Sequence, residues 1–145
     1  MWSTAGIQSV SMLPVGASFN KEYFETVLDE LAAKIHMRRP VLGTNGVRLH
    51  IDNARPHLVH DKIEQLGMKR LEHPPYSPDL APSDFFLFGF LKTSLQGSSF
   101  GTPEELFGQI SKILHGIEKD VFLRVYHEWI SRLRMCIDRG GGYVY

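Results

Sequence analysis

The stretch VRLHIDNARPHLVHDKIEQLGMKRLE, Val47 to Glu72, changes its hydrophobic period twice. Val47, Leu49 and Ile51 alternate with Arg48, His50 and Asp52, the two-residue period of a short strand whose last residue is a carboxylate. HLVHDKIEQLG then reads as a helix closed by Gly67, and MKRLE as another short strand. Strand, helix and strand in that order predict an α/β layer.

Working towards the N-terminus, a helix is expected from about Lys21 to Arg38, because Tyr23, Phe24, Val27, Leu28, Leu31 and Ile35 recur at three and four residues. Asn20 can cap it and Phe19 can staple onto Phe24. Arg38 and Arg39 suit its C-terminal end, Pro40 lies beyond, and VLGTNG reads as a turn. GIQSVSMLPVG, rich in small and β-branched residues and stopped by Pro14 and Gly16, reads as a further strand. Its closeness to Met1 raises the expectation that an element is missing upstream.

Towards the C-terminus, HPPYSPDLAPSDFF, His73 to Phe86, packs four prolines and two aspartates into one loop. DFFLFGFLKTSL is apolar almost all round and predicts a helix buried on most sides. TPEEL supplies Thr102 as cap, Pro103 at the first helical position and Glu105 for a capping box, opening a helix through Ile117. A last helix, about Asp120 to Asp138, is expected to bury Val121, Phe122, Val125, Trp129, Ile130, Leu133 and Ile137, and the terminal RGGGYVY reads as frayed. The C-terminal third is therefore helical.

At 145 residues, 43% of them hydrophobic, the chain can bury the core of one domain. Lys plus Arg and Asp plus Glu stand at 16 each, so bulk charge points to no nucleic acid, membrane surface or acidic partner. The single cysteine, Cys136, excludes an internal disulfide, fits a reducing compartment, and lies in an apolar helical stripe where core packing is its expected role. No signal peptide is visible, and no apolar run approaches the roughly 20 residues that span a bilayer.

In α/β sheets functional groups collect at the carboxyl ends of strands, and both Asp52 and the proline loop lie at such ends, so they are expected to be neighbours. The plain alternative is that Asp52 makes a turn before Asn53-Ala54 and that the loop merely connects. Stiffness argues for the site. Divalent ions such as Mg²⁺ need oxygen ligands held at short range, and Pro74, Pro75, Pro78 and Pro82 remove loop freedom beforehand. Asp84 sits where a helix begins and can be aimed by it, whereas Asp79 lies inside SPDL and is expected to cap the turn. Two carboxylates holding a pair of metal ions suit phosphodiester chemistry, although two acids make a thin site.

HIDNARPH followed by HPPYSPDLAPSDFFLF resembles the catalytic core of mariner-type transposases, and PVGASFNKEYFETVL, MRRP, LKTSLQG, TPEEL and CIDRGGGYVY extend the resemblance over nearly the whole chain. It implies an incomplete RNase H-like fold, a short mixed sheet flanked by helices, with residues 1–145 forming part of a transposase catalytic domain. It also implies cleavage and joining of transposon-end DNA with Mg²⁺ or Mn²⁺, a homodimer as a further option, and a nuclear place if the source is eukaryotic. Asp52 and Asp84 would be the second and third catalytic acids and the metal ligands, with Asn53, His57 and Asp79 as supporting residues.

Two departures qualify this. The family's first catalytic Asp lies in a strand upstream of the part matched here, Ser3 does not replace it, and the helix-turn-helix units that precede the catalytic domain have no counterpart. The chain is therefore expected to be inactive alone, or else to be retained as a DNA-binding or dimerisation module. In addition, 84 − 52 = 32, a closer spacing than the mariner pattern, so the intervening helix is expected to be shortened by about a turn.

Other readings carry less. His50, His57, His60 and His73 invite a zinc site, but His57 directly follows Pro56 and His60 is expected to face solvent. Between Glu118 and Arg139 five basic residues are offset by four acidic ones, which reads as an ordinary solvated face rather than a DNA patch. Trp129 and the phenylalanines after Asp84 read as core.

Overall fold

The computed structural model describes residues 1–55 and 59–145. The backbone forms two compact units, one made of Met1 and Gln8–Pro75, the other of Trp2–Ile7 and Tyr76–Tyr145.

In the first unit, helix α1 (Lys21–Arg38) starts as the sequence requires. Asn20 Oδ1 accepts the Tyr23 N–H at 2.9 Å, and the Phe19 ring lies 6.0 Å from that of Phe24. These contacts satisfy one of the helix's unpaired amides and fix the entry of the chain. One face of α1 is buried: Phe24, Leu28, Leu31 and Ile35 form a single cluster with Leu49, Ile51, Val59, Ile63 and Met68. Strand β3 (Arg48–His50), helix α2 (His60–Gln65) and strand β4 (Lys69–Leu71) follow, and β3 pairs in parallel with β4, Leu49 opposite Arg70. Parallel pairing needs a crossover, which the segment containing α2 provides. At its end Thr44 Oγ1 donates to the Leu66 carbonyl at 2.5 Å. Gly67 beside it has φ +75°, and a Cβ there would lie 2.9 Å from that hydroxyl, so both backbone conformation and space require glycine.

Two expectations change here. GIQSVSMLPVG is not one strand: only Gly6–Ile7 (β2) pairs, antiparallel with Trp2–Ser3 (β1). Beyond it, the amides of Gln8 and Ser9 donate to the Met1 carbonyl at 2.9 and 3.2 Å instead of to a neighbouring strand. The strand before Asp52 also stops earlier, at His50, which leaves Asp52 in the following turn.

The second unit contains the β1–β2 hairpin, a 3-10 turn (Pro78–Leu80), a π-helical turn (Ser83–Leu87), and helices α3 (Phe88–Leu95), α4 (Pro103–His115) and α5 (Lys119–Asp138). Helix α4 is capped by Thr102 Oγ1, which accepts the Glu105 N–H at 3.2 Å, with Pro103 at the first helical position. Glu105 reaches back one residue further than a capping box does, accepting the Gly101 N–H at 2.8 Å. The core consists of Phe122 and Val125 from α5 together with Leu80, Ala81, Leu87, Leu114 and Val144. Trp2 closes it, its ring 5.3 Å from Phe122 and edge-on to Phe86 at 6.5 Å.

Three further readings are corrected in this unit. The helix after the proline loop buries only Leu87, with Phe88 and Phe90 exposed, because its apolar residues encircle the axis and only one side meets the core. Helix α5 buries Phe122 and Val125; Val121, Trp129, Ile130 and Leu133 are half-buried, Cys136 likewise, and Ile137 is exposed. Finally, RGGGYVY is anchored. The Gly140 N–H donates to the Ile137 carbonyl at 2.9 Å and the Gly141 N–H to that of Cys136 at 2.8 Å, the paired bonds of a Schellman ending, with Gly140 at φ +64°. The glycines turn the chain back, and Val144 is buried to 1% exposure.

Candidate active site

Asp52 leaves β3 and enters a turn that its own side chain makes, Oδ1 accepting the Ala54 N–H at 3.1 Å. The turn is braced from β4. Arg70 Nη2 donates to the Asp52 carbonyl at 2.8 Å and to Asn53 Oδ1 at 2.9 Å. Asn53 Nδ2 in turn donates to the His73 carbonyl at 2.8 Å, and the His73 and His50 rings meet at 3.1 Å between Nδ1 and Nε2. Within the first unit, therefore, Asp52 and Asn53 are joined to the first residue of the proline loop by a network whose donors and acceptors are paired residue by residue. The Asp52 side chain is exposed. His57 lies outside the described residues.

This network has a pH dependence. Burial of the His50 ring, and after it the His73 and Arg70 charges, push its pKa down from 6.5 to about 4, with Asp52 pulling the other way. The unfolded chain binds this proton at a pH where the folded chain does not, so the contribution to stability is complete above pH 6.5 and is lost as the pH falls towards about 4. Urea midpoints at pH 7.5 and pH 5 are expected to show that loss, and His50→Gln is expected to make it shallower. An equal loss in the variant would remove His50 as the cause.

Asp84, in the second unit, occupies the π-helical turn. The preceding Pro82 is in helical conformation (φ −57°), and the Asp84 and Phe85 amides both donate to the Ala81 carbonyl, at 2.9 and 3.0 Å. The Phe88 N–H reaches Ser83 O, one residue wider than an α-helical bond, a feature that recurs at functional sites. Its carboxylate is exposed. Its neighbours are held: Trp2 Nε1 donates to Ser83 Oγ at 3.3 Å, and the Arg132 guanidinium sits 4.2 Å over the Phe85 ring.

Asp79 does not cap its turn. Its Oδ2 accepts the Val144 N–H at 2.7 Å, while Oδ1 is buried without a hydrogen-bond partner. The turn's bonds are made by backbone instead, Leu80 N–H to Ser77 O and Ala81 N–H to Pro78 O, both at 3.1 Å. Sequence reasoning also missed Trp2, Arg132 and Val144. The only signal for Arg132 was its place three residues beyond Trp129, whose Nε1 donates to the Leu80 carbonyl at 2.8 Å on the same helix face.

No protein-family model matches the chain. It is 32% identical over 146 residues to the histone-lysine N-methyltransferase SETMAR of Homo sapiens, covering 98% of this chain and 21% of that protein. To the mariner Mos1 transposase of Drosophila mauritiana it is 28% identical over 149 residues, covering 99% of this chain and 43% of that protein. The chain thus spans less than half the length of either relative. The crystal structure of the Mos1 catalytic domain superposes with a TM-score of 0.88 at 27% identity, covering 99% of this chain and 73% of that one. Similar matches include the same domain with Raltegravir and Mg or Mn, and the transposase in a paired-end complex with the left transposon end.

Proposed function

Because the chain is homologous to mariner-type transposases and shares the RNase H-like fold of the Mos1 catalytic domain, we propose that it supplies part of a machinery that cleaves and joins transposon-end DNA. The observation that carries this is the superposition over 99% of the chain at a TM-score of 0.88. The human relative is named as a methyltransferase, but this chain spans 21% of it, against 43% of Mos1. Methylation is therefore not carried over.

In this reading Asp52 is the second catalytic acid and Asp84 the third, with Asn53 and His57 as supporting residues. The Arg70–Asn53–His73 network favours a fixed Asp52 backbone, and the π-helical turn favours a fixed Asp84. Such sites use Mg²⁺ or Mn²⁺ to activate water and stabilise the leaving oxygen. Carboxylate oxygens are hard donors of the right kind. Among the described residues no three His, Cys, Asp or Glu side chains are grouped to hold an ion. Of the zinc reading on His50, His57, His60 and His73, His57 lies outside the described residues and the other three form no such group.

The partner in this reading is transposon-end DNA, held by two copies of the protein, in the nucleus of a eukaryotic source. Since the net charge is zero, contact with phosphates has to come from local basic residues. No helix among the described residues is long and apolar enough to cross a membrane.

The 145-residue polypeptide is expected to be inactive by itself, because two carboxylates leave metal coordination incomplete. Incubation with transposon-end DNA and Mg²⁺ or Mn²⁺ is expected to yield no nicked product. Metal-dependent cleavage that disappears in Asp84→Ala would overturn the inactivity while supporting the role of Asp84. Retention of the DNA without cleavage would select a binding module.

A further inference from the structure

After α5 the glycines turn the chain back, and the returning segment meets the proline loop at two places, with Arg132 of α5 adding a third link. Tyr143 Oη donates to the Tyr76 carbonyl at 3.1 Å, and the Val144 N–H donates to Asp79 Oδ2 at 2.7 Å. Arg132 Nη1 bridges the two segments, donating to the Asp79 carbonyl at 3.2 Å and the Val144 carbonyl at 3.4 Å. Arg132 is itself locked, its Nε and Nη2 both 2.8 Å from Glu128 Oε1, and its guanidinium covers Phe85, the residue after Asp84.

The loop has reason to need holding. Tyr76 is the one non-glycine among the described residues with positive φ (+53°), a conformation costing a bulky L-residue about 1–2 kcal/mol. It persists only where surrounding contacts impose it. Burial of Asp79 with one carboxylate oxygen unpaired is also unfavourable unless the other makes a strong bond, and at 2.7 Å to Val144 it does.

We propose that Tyr143 and Val144 form a latch that clasps the proline loop through Tyr76 and Asp79 and, with Arg132, sets the direction in which the π-helical turn presents Asp84. Asp79 is then a positioning residue. Its importance for function rests on the reading of Asp84 as a reacting carboxylate, but the clasp is measurable without DNA or metal.

The test is hydrogen exchange of the Leu80, Ala81, Asp84 and Phe85 amides in the full chain, with the amides of α4 and α5 as internal reference. Deleting Tyr143–Tyr145 is expected to speed exchange of the four by roughly tenfold or more, and Tyr143→Phe, which removes one hydroxyl, by roughly fivefold. Asp79→Ala should act like the deletion. Asp79→Asn, which keeps an oxygen for the Val144 N–H, should stay near the parent chain. Uniform acceleration across α4 and α5 would mean that the tail only stabilises the unit, and unchanged exchange at the four amides in the deletion would equally overturn the proposal. If Asp79→Ala fails to fold, the deletion and Tyr143→Phe decide. Unchanged exchange in the deletion would sink the latch without bearing on Asp84 as a reacting carboxylate, and the cleavage assay bears on that role without testing the latch.

Discussion

Phe122→Ala is expected to lower the stability of the Trp2–Ile7 and Tyr76–Tyr145 unit by about 3–5 kcal/mol, the range for emptying a fully buried aromatic site. Phe122 is 0% exposed and packs against the Trp2 ring, so truncation removes apolar burial and one side of an aromatic contact and leaves a cavity. Because Trp2 also anchors Ser83, the loosened ring is expected to free the start of the turn that carries Asp84. Guanidinium unfolding followed by tryptophan fluorescence measures the loss. Ile137→Ala in the same helix, at a position 77% exposed, should change the midpoint by less than about 0.5 kcal/mol. Equal losses at the two positions would contradict the assigned burial.

Leu28→Ala is the corresponding change in the other unit, with an expected cost of about 2–5 kcal/mol. Leu28 is 0% exposed at the centre of the cluster formed by α1 with Leu49, Ile51, Ile63 and Met68. Those residues flank Asp52 in sequence and hold β3 against β4, so the variant is expected to expose the strand pair to hydrogen exchange before α5 opens. Met37→Ala on the same helix, at 82% exposure, is the control and should be nearly silent. Comparable destabilisation by Met37→Ala would show that the helix face has been assigned wrongly.

Much of the scaffold was legible because its causes are local. Asn20, Phe19 and the apolar stripe of α1 lie within a few turns of one another, as do Thr102, Pro103 and Glu105 of α4, so capping and periodicity suffice to find both helices. The strand–helix–strand order around Asp52 was legible for the same reason. The site was legible in part. Both the turn and the strand-end readings of Asp52 were open, and the structure has the turn, made by the Asp52 carboxylate itself.

The misreadings share a cause. The segment after Gly6 is as apolar and β-branched as a strand, yet strand formation depends on a partner, and the Gln8 and Ser9 amides found one carbonyl instead. The aromatics after Asp84 gave no period from which to tell a covered face from an exposed one. RGGGYVY looked frayed because glycine runs lower order in isolation. Here they supply the positive φ values that reverse the chain, and the gain comes from residues 65 and 67 positions away in sequence, Asp79 for Val144 and Tyr76 for Tyr143.

The α/β class, the helical C-terminal third, the helix caps and the resemblance that singles out Asp52 and Asp84 are all visible in the sequence, since each rests on neighbouring residues or on motif identity. Three features come from packing in space: Asp79 accepts from the tail rather than capping its turn, Arg132 ties α5 to the loop, and Trp2 completes the core around Phe122. A side chain's partner is set by distance in space, and contacts between residues tens of positions apart leave no period and no spacing for a sequence to display.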